Sequence, residues 1–142
     1  MNPSSDVGRN EVSTRLTAQT QIVFLDYPSK DDMKIIVKSM VEGTLQKGSK
    51  VVQGIAKSKA SLLDGLTGFL LDLYAFVKTA YTPESSKHYT FTPKDIGTIL
   101  ESSLCYEVES AEELSFAVLQ ESSLTFRARL VKTEEISKYD SA

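Results

Sequence analysis

A mainly α fold, a helical bundle with one β-strand ahead of it, is what this sequence predicts. Three observations predict it. Apolar residues recur at three- and four-residue steps in several separate stretches, and Ser-, Thr- and Pro-based start signals open those stretches. Only Gln21–Leu25 carries a β-rich run, which Pro28 stops. Helices joined by short loops, each with an apolar stripe, must bury those stripes against one another.

The elements follow in order. Residues 1–20 are polar and turn-rich. Gln21–Leu25 reads as a buried strand; a lone strand is unstable, so its sheet partners are expected outside this chain. Ser29 reads as a helix cap with Asp31 and Asp32 in the first turn. Met33, Ile36, Val37, Met40, Val41 and Leu45 then form one apolar face, with Gly48 as the stop. Lys47, Lys50, Lys57 and Lys59 have no acid among them, which reads as a solvated connection or the frayed start of the next helix. From about Ser61, Leu62, Leu66, Phe69, Leu70, Leu73, Val77 and Ala80 share one side of a second helix. Leu63, Tyr74, Phe76 and Tyr81 widen its apolar surface, as expected of a central helix. Gly65 and Gly68 each cost about 1 kcal/mol against Ala; either they permit close packing or they are incidental.

Thr82-Pro83 ends that helix. The β-prone His88-Tyr89-Thr90-Phe91 leads to Thr92 as N-cap and Pro93 at the first helical position. Ile96, Ile99, Leu100 and Leu104 supply the buried face of a third helix. Ser110 and Glu113 form a capping box for the last helix, which runs through Leu114, Val118, Leu119, Phe126 and Leu130 toward Val131. Lys132–Ala142 reads as a polar tail that frays. His88 reads as a loop residue packing near Tyr89, and Cys105 as a small buried apolar residue.

Composition narrows the function classes. The 142 residues are 41% apolar, enough for a core. The 16 basic and 19 acidic side chains give a net charge of −3, with no electrostatic case for nucleic acid or an anionic membrane. One Cys and one His exclude an internal disulfide and give no zinc-ligand spacing. The apolar stretch from Leu66 to Val77 is too short to span a bilayer, and no secretory signal pattern opens the chain. The chain reads as soluble and intracellular. Glu101, Glu107, Glu109, Glu112, Glu113 and Glu121 read as a solvated face. No paired carboxylates, nucleophile–base pair or Gly-rich phosphate loop occurs, so no catalytic residue and no metal site is expected in the isolated chain.

Four segments carry a family resemblance. Asn2-Pro3-Ser4-Ser5-Asp6-Val7-Gly8-Arg9 with Ser13-Thr14-Arg15-Leu16 resembles the back half of an AAA+ ATPase module, from sensor 1 to the arginine finger. Val23-Phe24-Leu25-Asp26-Tyr27-Pro28 resembles the last core strand of the third AAA+ module of cytoplasmic dynein. Tyr81-Thr82-Pro83 and His88–Ile96 resemble that module's lid signature, and Phe126–Val131 the end of the lid's final helix. Taken together and in order, they make the chain similar to the dynein heavy chain.

The resemblance implies a helical-bundle AAA+ lid over residues 29–132. Ahead of it, residues 1–28 would be the C-terminal remnant of the large subdomain, and residues 133–142 would be the polar tail. Asn2 would stand at the sensor-1 position and Arg15 at the arginine finger, where it stabilises charge on a phosphoryl group held by an adjacent module. Lys94 would replace the sensor-2 Arg; it keeps the charge but loses the planar fork. Ala18 stands near where the family tends to carry a second Arg. Both departures imply a weakened or regulatory nucleotide response.

The lid would relay nucleotide state around the ATPase ring of a microtubule motor. ATP or ADP with Mg would belong to the complete parent module, with none bound by this chain alone. The partners implied are the remaining AAA+ modules, the other dynein subunits and, indirectly, microtubules. The implied location is the cytoplasm and its cytoskeleton, with cilia as the family's other site. Walker A and Walker B segments are absent, so the chain is predicted inactive alone. Two alternatives stand beside this reading: a free-standing helical protein-interaction module, and a lid from a midasin-type giant AAA+ ATPase, whose Asn-Pro segment is similar to Met1–Gly8. The His88–Ile96 and Phe126–Val131 matches favour dynein, and whether the chain is a truncated gene product stays open.

Overall fold

The computed structural model describes residues 12–21, 23, 28–58 and 60–141. Asn2 and most of the expected strand, Ile22, Phe24 and Leu25, lie outside them; Gln21 and Val23 have no regular secondary structure. The described elements are α1 (Thr14–Thr17), α2 (Lys30–Lys47), α3 (Lys50–Ser58), α4 (Ala60–Ala80), α5 (Pro93–Ser103), α6 (Ala111–Thr125) and α7 (Thr133–Asp140), with a 3-10 turn at Arg127–Arg129.

Local chemistry sets most of the boundaries. The Ser29 hydroxyl accepts from the Asp32 amide while the Asp32 carboxylate accepts from the Ser29 amide, a reciprocal cap on α2. Gly48 ends α2, and its lack of a side chain has a packing reason. A Cβ there would lie 2.9 Å from Val52 Cγ1 and 3.2 Å from Leu104 Cδ2, so the turn between α2 and α3 can press against the end of α5. Gly65 and Gly68 have no such role: the space beside each is open.

The Lys-rich connection is instead a helix. In α3, Val52 is buried and Ile55 and Ala56 pack on the core, while Lys50 and Lys57 remain exposed. The lysines obscured an apolar stripe only nine residues long. Gln53 holds the corner by donating from Nε2 to the Gln46 and Gly48 carbonyls. The axes of α3 and α4 then diverge by 96°.

The core is where α2, α4, α5 and α6 meet. Val37, Val41, Leu70, Val77, Ile96, Ile99, Leu100 and Leu114 are fully hidden from water. Each such side chain contributes about 1.5–3 kcal/mol by burial. In α4 the buried line is Leu66, Leu70, Tyr74 and Val77, whereas Phe69 lies outside it; in α6 Leu114, Ala117 and Val118 point inward and Leu119 outward. Cys105 is exposed, because α5 ends at Ser103 and the chain turns into solvent there.

Two further expectations are corrected at the C-terminus. α6 stops at Thr125, and the 3-10 turn carries the chain to Leu130, which is buried. The 133–142 segment does not simply fray: α7 forms, with Ile136 and Tyr139 packed against the core. Among the described residues no single helix is long and apolar enough to cross a membrane, and no buried side-chain polar atom lacks a hydrogen-bond partner.

Candidate functional site at the start of the fifth helix

The start of α5 gathers the sequence's most informative residues. Thr92 precedes it in an extended conformation, and Pro93 opens it. The Asp95 carboxylate accepts from the Thr92 amide at 2.7 Å and from the Thr92 hydroxyl at 3.2 Å. Its other oxygen accepts from Arg129 Nη2 at 2.6 Å. The Asp95 side chain is only 12% exposed, so this charge-assisted bond is made largely out of water. One carboxylate therefore caps α5 and anchors it to the 3-10 turn. The Thr92-x-x-Asp95 spacing was a visible signal for the cap; nothing in the sequence announced Arg129 as its partner.

Arg129 does more than pair. Its guanidinium lies 5.8 Å from the centre of the Phe91 ring, and Nη1 reaches the Thr90 carbonyl at 3.5 Å. His88 Nε2 sits 3.2 Å from the Arg129 carbonyl, which can only accept, so that nitrogen carries the proton. The His88 ring packs on Tyr89 with centroids 4.4 Å apart, as the sequence reading expected. Behind them runs an aromatic row in which Phe76 meets Tyr81, Tyr81 meets Tyr89, Tyr89 meets Phe91, and Phe91 meets Phe126. The β-prone His88–Phe91 forms no strand: His88 lies in a turn and Tyr89–Phe91 have no regular secondary structure, with Tyr89 and Phe91 buried.

α7 closes over this row. The Tyr89 hydroxyl donates to Glu135 Oε2 at 2.5 Å and accepts from the Val131 amide at 3.2 Å. Tyr81 donates to the Glu135 carbonyl at 2.9 Å. The bond from Tyr89, helped by Lys132, holds the Glu135 carboxyl below the usual range. Arg127 grips Asp140 through two bonds of 2.6 and 2.9 Å and lowers its pKa likewise. Burial pushes the Tyr139 phenol up to about 12.

The residues expected to act on nucleotide fare unequally. Lys94 is exposed in the first turn of α5 and has no ion-pair partner among the described residues. Arg15 is exposed on the four-residue α1, which buries no residue. No bond joins Arg15 to Lys94, and Asn2 lies outside the described residues. The Ser110 cap forms in altered fashion: Ser110 accepts from the Glu113 amide, but the Glu113 carboxylate accepts from the Glu109 amide. Among the described residues no cluster of three His, Cys, Asp or Glu side chains could hold a metal. Lys94 is thus an exposed cation beside the Thr92–Asp95 cap, as Lys30 and Lys50 are exposed at the starts of α2 and α3.

The described residues form a mainly helical bundle, consistent with a helical lid domain; the comparisons give its family. Residues 45–136 match the family described as dynein heavy chain, ATPase lid domain, and the chain belongs to that family. It is 31% identical to cytoplasmic dynein 2 heavy chain 1 of Chlamydomonas reinhardtii, over 92% of this chain and 3% of the relative. It is 29% identical to the cytoplasmic dynein heavy chain of Caenorhabditis elegans (94% of this chain, 3% of the relative). Identity to human cytoplasmic dynein 2 heavy chain 1 is 25% (99% of this chain, 3% of the relative). The chain thus spans about 3% of the length of the relatives it matches. No solved structure matches.

Asp95→Ala removes a helix cap and the acceptor of a charged hydrogen bond at once, so it should destabilise the fold by roughly 2–4 kcal/mol in urea unfolding. Lys94→Ala, on the exposed side of the same turn, should stay within about 0.5 kcal/mol of the parent.

pH acts from both ends. Glu135 and Asp140 have folded pKa values below their unfolded ones, so their contribution is present above about pH 4 and lost as pH falls through the folded values. Tyr139 behaves oppositely: its contribution is intact below about pH 10 and is lost as pH rises toward its folded value of about 12. Unfolding midpoints between pH 2 and 12 should show a plateau with both flanks falling.

Proposed function

We propose that this chain acts as the lid of an AAA+ module, the third of a cytoplasmic-type dynein heavy chain, and relays nucleotide state as a rigid body. The observation that carries the reading is the match of residues 45–136 to dynein lids, which takes in α3 to α6, and these share one continuous core with α2. A bundle so packed transmits a shift at one edge to the other instead of absorbing it.

In this reading Lys94 meets the phosphates at the edge of the lid. The helix dipole disfavours a lysine in a first turn, so an incoming anion relieves a local penalty, while the Asp95–Arg129 pair keeps the backbone beneath it fixed. Arg15 reaches a phosphoryl group on the adjacent module and Asn2 takes the sensor-1 place. ATP or ADP with Mg is held by the rest of the module, and the partners are the other modules and subunits of a dynein working on microtubules in the cytoplasm or cilium.

The test is a dynein heavy chain in which residues 29–140 replace its own lid. ATP-driven microtubule gliding should persist, fall several-fold with Lys94→Ala, and recover with Lys94→Arg. Gliding indifferent to Lys94 removes the nucleotide contact, and a graft that binds microtubules but never glides removes the relay. The 142-residue chain alone should not turn over ATP.

A further inference from the structure

The geometry points to α7 as a coupling strap whose docking sets the rigidity of the Lys94-bearing start of α5, through Tyr89 and the Asp95–Arg129 pair. This rests on the lid reading only for its purpose; the coupling itself is a property of the isolated chain.

α7 is held at two ends. At the inner end Glu135 takes one bond from Tyr89 through its carboxylate and one from Tyr81 through its carbonyl. At the outer end Arg127 clasps Asp140, and the Tyr139 hydroxyl reaches the Ser122 carbonyl at 3.4 Å. Between these ends α7 buries no residue completely, and Ile136 and Tyr139 are its only side chains packed on the core. A helix held by a few side-chain bonds opens far more cheaply than the bundle beneath it.

Opening has a directed consequence. Tyr89 is 1% exposed, and its hydroxyl serves both Glu135 and the Val131 amide. When α7 leaves, that hydroxyl loses its acceptor and its cover, and its remaining bond from the Val131 amide is opened to competition from water. The turn from Phe126 to Val131 then loses its fixed end, and Arg129 sits in the middle of it. Arg129 in turn holds Asp95, the Thr90 carbonyl and the Phe91 ring. Five elements thus share one string of bonds: the end of α4, the turn before α5, the start of α5, the 3-10 turn and α7. Docked, the strap presents Lys94 on a fixed backbone; undocked, it leaves the first turn of α5 with a loosened cap.

The test is amide hydrogen exchange on the full chain. Tyr89→Phe keeps the ring and deletes the hydroxyl; Asp140→Ala opens the exposed outer clasp from the α7 side and leaves every inner bond and the 3-10 turn intact. Both should speed exchange about ten-fold or more at Ile136–Asp140 and also at Thr92, Lys94, Asp95 and Ile96, with α2 and the middle of α4 unchanged. Faster exchange in α7 with the α5 start as slow as in the parent, in Asp140→Ala above all, overturns the coupling. Asp140→Ala also decides the matter if Tyr89→Phe loosens the whole bundle. Exchange is read without nucleotide, so a failed strap and a failed lid assignment give different results: the first leaves the gliding of the graft untouched, and the second leaves these exchange patterns untouched.

Discussion

α5 could not hide Ile96, Ile99 and Leu100 alone. They vanish from solvent because α6, α2 and α4 pack around that short helix, and the same contacts remove Leu114, Val41 and Leu70 from water. Each stripe exposed singly would forfeit the burial that offsets chain entropy. The mutual burial fixes where α5 begins, and the position of that beginning decides what Lys94 can meet. The polar bonds around it trim the geometry of an arrangement that apolar packing has already chosen.

Asp95 shows how trimming becomes specification. A capping carboxylate in a first turn is common, and its effect is ordinarily local. Here the second oxygen is committed to Arg129, thirty-four residues away, so the start of one helix and the turn after another are registered to each other. The family match ends at Ile136, so it takes in Glu135 and the inner half of the latch. The aromatic row beneath gives both bonds a low-dielectric floor, which strengthens them.

Much of this could be read from residues alone, for identifiable reasons. Ser29 with Asp32 and Thr92 with Pro93 are local signals, and the helices they start are where they were expected. The periodicity of α4 and α5 is long or strong enough to survive a few misplaced residues such as Phe69. α3 was missed because four lysines dominated a stripe of three apolar residues. α7 was missed because its stability lies in partners far along the chain, Tyr81 and Tyr89, which no window of sequence brings together. Cys105 was assigned by residue type, whereas the end of α5 decided its exposure. Of the residues proposed to sense nucleotide, Asn2, Arg15 and Lys94 all rest on family resemblance, and Asn2 lies outside the described residues.

A lid that moves whole keeps its own helices at fixed separations while its distance to the large subdomain changes. Paired spin labels at exposed Glu42 on α2 and Glu101 on α5, in a dynein heavy chain carrying this lid, measure its internal distance; a third label on the large subdomain measures its swing. Between the nucleotide-free and ATP-analogue-bound motor, rigid-body motion leaves the Glu42–Glu101 distance unchanged and shifts the distance to the large subdomain. A lid that deforms between its own labels, or one that stays still while nucleotide binds, would contradict it.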